Sequence, residues 1–165
     1  MFRIGHSRDI HKFGLNRKLI LGTVEIPYEK GLVAHSDGDC LIHAITESLI
    51  GAMGLGDIGK HFPDTDKKYK DMDSSYFLYE TKKMLIQKGY EIVNIDATIL
   101  AEKPIMAPHI PLMKEAIAHI LDINLDQINI KATRGEGLGF VGEELGIECD
   151  SVCLIKKTNG VIKKL

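Results

Sequence analysis

Between Asp39 and about Met53 the apolar residues Leu41, Ile42, Ile45, Leu49 and Ile50 recur at helical spacing, and this run constrains the fold most. A helix this apolar has to bury its face against another layer. Several segments can supply that layer. Phe2 to Phe13 reads as extended, and "KLILGTVEIP" as a small hairpin around Gly22-Thr23, ending at Pro27. "EIVNIDATIL", "DQINIKAT" and "IECDSVCLIKK" read as strands. "SSYFLYETKKMLIQKG" reads as a second helix with a serine available as its cap and Gly89 as its stop. A third helix opens from the proline-punctuated "AEKPIMAPHIP" and runs to about Leu121, with His109 at its start and His119 on its exposed face. "GLGDIGKHFPDTDKKYKDMD" has no sustained period and reads as an exposed, mobile loop. The order predicts one α/β domain spanning 1–165, an α+β sandwich in which a mixed β-sheet carries helices on one face beside a small N-terminal hairpin.

Composition excludes several classes of function. The net charge is -2 and Lys and Arg are spread along the chain, so no basic stripe offers itself to nucleic acid. Tryptophan is absent and aromatics make up 6%, which leaves no base-stacking platform. No apolar run approaches the ~20 residues of a membrane span, and "MFRIGHSRDIH" lacks the apolar core of a signal peptide. Cys40, Cys149 and Cys153 are odd in number and form no C-x-x-C, as expected of free thiols in a reducing cytoplasm.

Two spacings carry chemistry. Asp9 and His11 share a face of an extended strand, and Asp39 and His43 share a face of a helix. A carboxylate and two imidazoles are ordinary ligands of a catalytic zinc with one open position. Asp9, His11 and His43 make such a set, Asp39 competes for the carboxylate role, and a satisfied buried histidine is the plain alternative for His43. "GLGFVG", Gly137 to Gly142, fits G-x-G-x-x-G, but the dinucleotide fingerprint needs a following helix and an acidic residue about 20 positions on. The continuation here reads as a strand near the end of the sequence, so that reading fails. The same loop, near Lys131 and Arg134, suits either phosphate binding or a plain sheet-edge turn.

Taken in order, "RIGHSRDIHKF", "IPYEKGLVAHSDGDCLIHAITESLIGAMGLGDIGKHFPDTD" and "PHIPLMKEAIA" closely resemble the 2-C-methyl-D-erythritol 2,4-cyclodiphosphate synthase family along essentially the whole chain. The resemblance implies a cytoplasmic homotrimer with active sites between subunits. It implies a cyclase of the non-mevalonate isoprenoid route, in which the 2-phosphate of 4-diphosphocytidyl-2-C-methyl-D-erythritol 2-phosphate attacks its own β-phosphorus and expels CMP. It assigns zinc, or another divalent transition metal, to Asp9, His11 and His43, and Mg²⁺ or Mn²⁺ on the substrate diphosphate to Glu136. His35 and Ser36 match the phosphate-contacting pair, with His35 also a transition-state stabiliser. Asp57, Ile58 and Gly59 match the methylerythritol site, and Phe62, Pro63, Asp64, Thr65 and Asp66 lie in the loop over it. Ala101, Glu102, Lys103, Pro104, Ile105, Met106 and Ala107 match the cytosine pocket. Ala132, Thr133, Gly135, Glu136 and Phe140 match further substrate contacts, and Arg134, in a catalytic position, and Glu143 stand at two more.

Three positions depart from the family pattern. Arg134 replaces a threonine credited with transition-state stabilisation, Glu143 replaces an arginine near the trimer axis, and Ile105 replaces a lysine in the cytosine loop. The Glu143 change argues against isoprenoid diphosphates binding at the axis. The alternatives are a zinc phosphodiesterase or nucleotide hydrolase using a zinc-bound water, and a non-catalytic module that binds CMP and metal.

Overall fold

A computed structural model describes residues 1–158; residues 159–165 of the expected single domain lie outside the described residues. Seven strands and five helices follow in the order β1 (Phe2–Gly14), β2 (Leu19–Leu21), β3 (Val24–Ile26), β4 (Gly31–Leu32), α1 (Cys40–Met53), α2 (Ile58–His61), α3 (Ser75–Gln87), β5 (Tyr90–Leu100), α4 (Ile110–Leu121), β6 (Ile128–Thr133), α5 (Gly139–Gly142) and β7 (Gly146–Lys157). Five strands form one mixed sheet in the order β4-β1-β7-β5-β6, in which only β5 and β6 run parallel. β2 and β3 pair as a separate hairpin whose turn, Gly22-Thr23, has positive φ at both residues. That is the twist a two-residue hairpin favours. The predicted mixed sheet and hairpin are therefore present.

Period-2 alternation divides the sheet into two faces. Gly5, Ser7, Asp9 and His11 of β1 turn inward, while Ile4, His6, Arg8 and Ile10 stay exposed. The inward face meets α1, whose Leu41, Ile42, Ile45, Leu49 and Ile50 are fully buried. Burying side chains of this size stabilises the fold by about 1.5–3 kcal/mol each. Contact is closest at Gly5, where a Cβ would lie 1.8 Å from the Ser48 carbonyl oxygen, so only glycine lets the helix settle on the strand. α1 starts at Asp39, whose carboxylate accepts the Ile42 N–H at 3.0 Å, and stops at the left-handed Gly54. Among the described residues no helix is long and apolar enough to cross a membrane.

Two expectations need correction. The segment 54–73 is not structureless: Asp57 caps α2 through the Lys60 N–H, and Asp66 caps a 3-10 turn, Lys67–Tyr69, through the Lys68 N–H. Such short turns are fixed by their caps and leave no apolar period to read. Within "GLGFVG" a four-residue helix, α5, does form, but β7 follows at once and runs antiparallel to β5, so no βαβ unit exists.

Candidate functional site

Asp9 and His11, two residues apart on β1, reach the inward face beside the first turn of α1, where His43 points back at them. His11 Nε2 lies 2.9 Å from Asp9 Oδ2, His43 Nδ1 lies 3.2 Å from the same oxygen, and the two nitrogens are 3.1 Å apart. Three donors of a tetrahedral zinc, with bonds of about 2.0–2.1 Å, would stand roughly 3.3 Å apart. The donor set therefore fits a divalent metal, and it is the one such group of three among the described residues. Burial works to raise the Asp9 carboxyl, but hydrogen bonds and charge from His11 and His43 outweigh it and hold the group well below the usual carboxylate range. Burial works to lower His11, and the bond and charge of Asp9 together with the Val33 carbonyl raise it above its ordinary value.

Asp39 does not compete for this site. It is the residue before α1, so its carboxylate folds back on the helix start and on the hairpin, accepting from Ile42 N, Gly22 N at 2.9 Å and Thr23 N at 2.7 Å. Complete burial and the nearby Asp37 push it up to about 6 against the pull of those three N–H groups.

The donors open into a cavity of about 390 Å³ that His35, Ser36, Ile58, Gly59, Phe62 and Asp64 also line, beside Glu47, Tyr69 and Phe77. A larger groove of about 680 Å³ lies around Phe2, Tyr90 and Lys157, seven residues or about 23 Å back along β1 from Asp9. It contains no such donor set, so the chemistry belongs to the smaller cavity. Of the residues predicted around the substrate's methylerythritol end, Asp57, Pro63, Thr65 and Asp66 do not line it. Asp57 acts as a cap, and the Asp66 carbonyl accepts His35 Nε2–H at 3.1 Å.

Two further side chains shape the cavity without announcing themselves in the sequence. Glu47, one turn after His43, accepts the Ser7 hydroxyl at 2.6 Å and the Ile58 N–H at 3.3 Å, tying α2 to α1 and β1. Arg17 donates to the carbonyls of Ser36 at 2.9 Å and Ala34 at 3.4 Å, bracing the His35-Ser36 turn. The i+4 relation of Glu47 to His43 was the only available signal for the first. Nothing in the sequence pointed to the second.

The remaining predicted residues gather elsewhere. Asp9, Cys149, Ile99 and Ala132 form one row across four strands, three steps or about 14 Å from end to end. At the far end Ala101 to Ala107 and Ala132 to Glu136 lie side by side. The Ala101 N–H donates to Thr133 O at 3.0 Å, and the Gly135 N–H to Glu102 Oε2 at 3.0 Å. Arg134, Glu136, Glu143 and Ile105 are exposed; Met106 is instead core, and Phe140 is half-buried. None of these residues lines the metal cavity.

The chain is 61% identical over 155 residues to the 2-C-methyl-D-erythritol 2,4-cyclodiphosphate synthase of Clostridium novyi, covering 94% of this chain and 99% of that one. It is 58% identical to the synthase so named in Francisella philomiragia, again over 94% and 99%. Among solved structures, the bifunctional IspDF of Campylobacter jejuni superposes with a TM-score of 0.93 at 40% identity; the match covers 96% of this chain but 43% of that longer one. The Plasmodium falciparum IspF in its CDP complex superposes with a TM-score of 0.85 at 34% identity, over 96% and 97%. The YgbB family model matches residues 2–156, and the chain belongs to that family.

Proposed function

We propose that the chain, acting as a single domain, is a divalent-metal-dependent cyclase. It converts 4-diphosphocytidyl-2-C-methyl-D-erythritol 2-phosphate to 2-C-methyl-D-erythritol 2,4-cyclodiphosphate and releases CMP. The observation that carries this reading is the triangle of Asp9 Oδ2, His11 Nε2 and His43 Nδ1, opening into the same cavity as His35 and Ser36. The nucleophile is a phosphate already on the substrate, so the protein needs to supply no serine or cysteine nucleophile. Its task is to hold two mutually repelling phosphates in line and to neutralise charge as one leaves.

Asp9, His11 and His43 would hold zinc, which supplies Lewis acidity to phosphate oxygens. Ser36 offers a hydroxyl to the same oxygens. The His35 ring is oriented by donating Nε2–H to Asp66 O, and its imidazolium form would donate Nδ1–H to a phosphate oxygen. Gly59 and the Ile58 turn, held by Glu47, form the wall for the methylerythritol carbons. Glu136 would hold Mg²⁺ or Mn²⁺, a hard ion with few protein ligands, which would supply positive charge to the substrate diphosphate oxygens. Arg134 would present its guanidinium to the same oxygens. The loop from Ala101 to Ala107 would read cytosine through backbone groups, in keeping with the CDP carried by the Plasmodium falciparum relative.

The 14 Å row separating that loop from Asp9 supports a site completed by a neighbouring subunit of a homotrimer. The uncovered sheet face, with exposed Ile4, Ile10 and Val152, offers a surface for such assembly. Three buried free cysteines suit a reducing, cytoplasmic setting.

The test is ³¹P NMR of the protein with zinc, Mg²⁺ and the substrate. CMP with two coupled cyclic-diphosphate signals is the expected result. CMP with a linear product would overturn cyclisation in favour of hydrolysis, and CMP binding without product would leave a non-catalytic module.

A further inference from the structure

Ser74 stands at the cap position of α3, is fully buried, and does not cap its helix. Its hydroxyl is engaged elsewhere. Ser74 Oγ lies 2.9 Å from His43 Nε2 and donates to Asp37 Oδ1. Asp37 accepts three donors in all: Oδ1 also accepts the Asp39 N–H at 3.0 Å, and Oδ2 accepts the Ser74 N–H at 2.9 Å. A carboxylate can only accept, so the Ser74 hydroxyl proton must point to Asp37. Ser74 Oγ is then left with lone pairs toward His43, so His43 Nε2 must carry a proton; at Nδ1 the Asp9 carboxylate, 3.2 Å away, draws a second proton unless a metal takes its place. The second contact of that nitrogen, Ser36 Oγ at 3.2 Å, is able to accept as well.

We propose that Asp37, acting through Ser74, is a positioning residue that fixes His43 in its Nε2–H tautomer and so keeps the Nδ1 lone pair free for metal. The inference rests on the metal reading of Asp9, His11 and His43 given above. His11 obeys the same logic by a shorter route: the Val33 carbonyl, 3.2 Å from its Nδ1, can only accept, so Nε2 is the ligating nitrogen. For His43 the final acceptor is two hydrogen bonds away, and the direction of the whole relay is set by Asp37 accepting from Ser74. An asparagine at 37 cannot meet three donors, because its NH₂ must face at least one of them. Facing Ser74 Oγ, it would turn the hydroxyl proton toward His43 Nε2 and move the ring proton to Nδ1. The buried, non-capping serine is thereby explained: the helix gives up its cap to orient a ligand.

The experiment compares wild type, Asp37→Asn and Ser74→Ala. Zinc affinity is read by competition with a chromogenic chelator, and the His43 tautomer by ¹⁵N shifts of the imidazole in the zinc-loaded protein, where the metal replaces the proton that Asp9 would otherwise draw to Nδ1. Outer-shell partners of metal-bound histidines are worth roughly 10–100-fold in affinity. Asp37→Asn is expected to lose that much zinc affinity and to shift the His43 nitrogens toward the Nδ1–H form. Ser74→Ala, which keeps Ser36 Oγ as an acceptor, is expected to lose less while holding the wild-type tautomer. If Asp37→Asn does not fold, Ser74→Ala carries the test through affinity alone. Folded variants that bind zinc as tightly as wild type, with unchanged ¹⁵N shifts, would overturn the proposal. A wild-type protein that takes up no zinc would overturn the metal reading on which it stands.

Discussion

Two regions of this chain carry the predicted site, and they are built differently. Around Asp9, His11 and His43 each element is tied to the next. Glu47 joins α1 to β1 and α2, Arg17 braces the turn at His35, and Ser74 links α3 to α1. A cavity already exists there in one chain. Around Ala101 to Ala107 and Arg134 to Glu143, the loops are tied to each other, by Glu102 to Gly135 and Lys103 to Glu144, but they do not line the metal cavity and they present exposed charges. The difference points to what each region requires. Metal chemistry needs donors fixed within a fraction of an ångström before substrate arrives. On the proposed reading, the base-reading, charge-neutralising surface would gain its second wall from a neighbouring subunit.

The largest effect should come from breaking the first region. His43→Ala removes one of three metal donors and should lower turnover by more than about 100-fold, with zinc binding lost in equilibrium dialysis. The comparison itself is sharpened by mixing two inactive variants, His43→Ala and Glu136→Ala, and letting subunits reassort. If every site takes its metal donors from one chain and its loops from a neighbour, random mixing makes one site in about four intact. Roughly a quarter of wild-type activity should then return; none would return if each chain supplied both halves.

Asp39→Ala tests stability apart from chemistry. It strips a cap and leaves the Gly22 and Thr23 N–H groups without their acceptor, at a cost of roughly 2–4 kcal/mol in urea unfolding. The metal donors themselves stay in place. The smallest effect belongs to the Asp96–Lys131 pair on the open sheet face, 2.6 Å apart with both side chains about half exposed. Lys131, and after it the Asn129 amide, hold Asp96 below its ordinary 3.8 despite some burial. In acid the unfolded chain binds the proton first, so the pair's contribution is present above about pH 4 and fades as pH falls through the native value. Lys131→Ala should cost at most about 0.5 kcal/mol at neutral pH, and less in high salt.

Much of this architecture was legible from periodicity. β1, the hairpin at Gly22-Thr23, α1, α3 and β5 lie where alternation or helical spacing put them, because one face of each meets the core. The metal donors were legible for the same reason, since two residues apart on a strand and a place on a facing helix define a point in space. Asp39 misled because i, i+4 spacing implies a shared face only inside a helix, and this residue is its cap. The segment 54–73 was illegible because Asp57 and Asp66 hold turns too short to show a period. Ser74 resembled an ordinary cap, and nothing local reveals that its hydroxyl is committed to residues more than 30 positions away.

The bare Cα of Gly5 has a consequence well beyond its own position. The strand bears two metal donors and the helix bears the third, so the gap between those two bodies sets the aperture of the triangle. That gap is gauged where Gly5 touches the Ser48 carbonyl, about 13 Å along the strand from Asp9. A single methyl there would act as a wedge under a lever, lifting α1 and carrying His43 away from its two companions. The calibration of the metal centre is thus kept at a point that no ligand ever touches, by the one residue with no side chain to wear or swell.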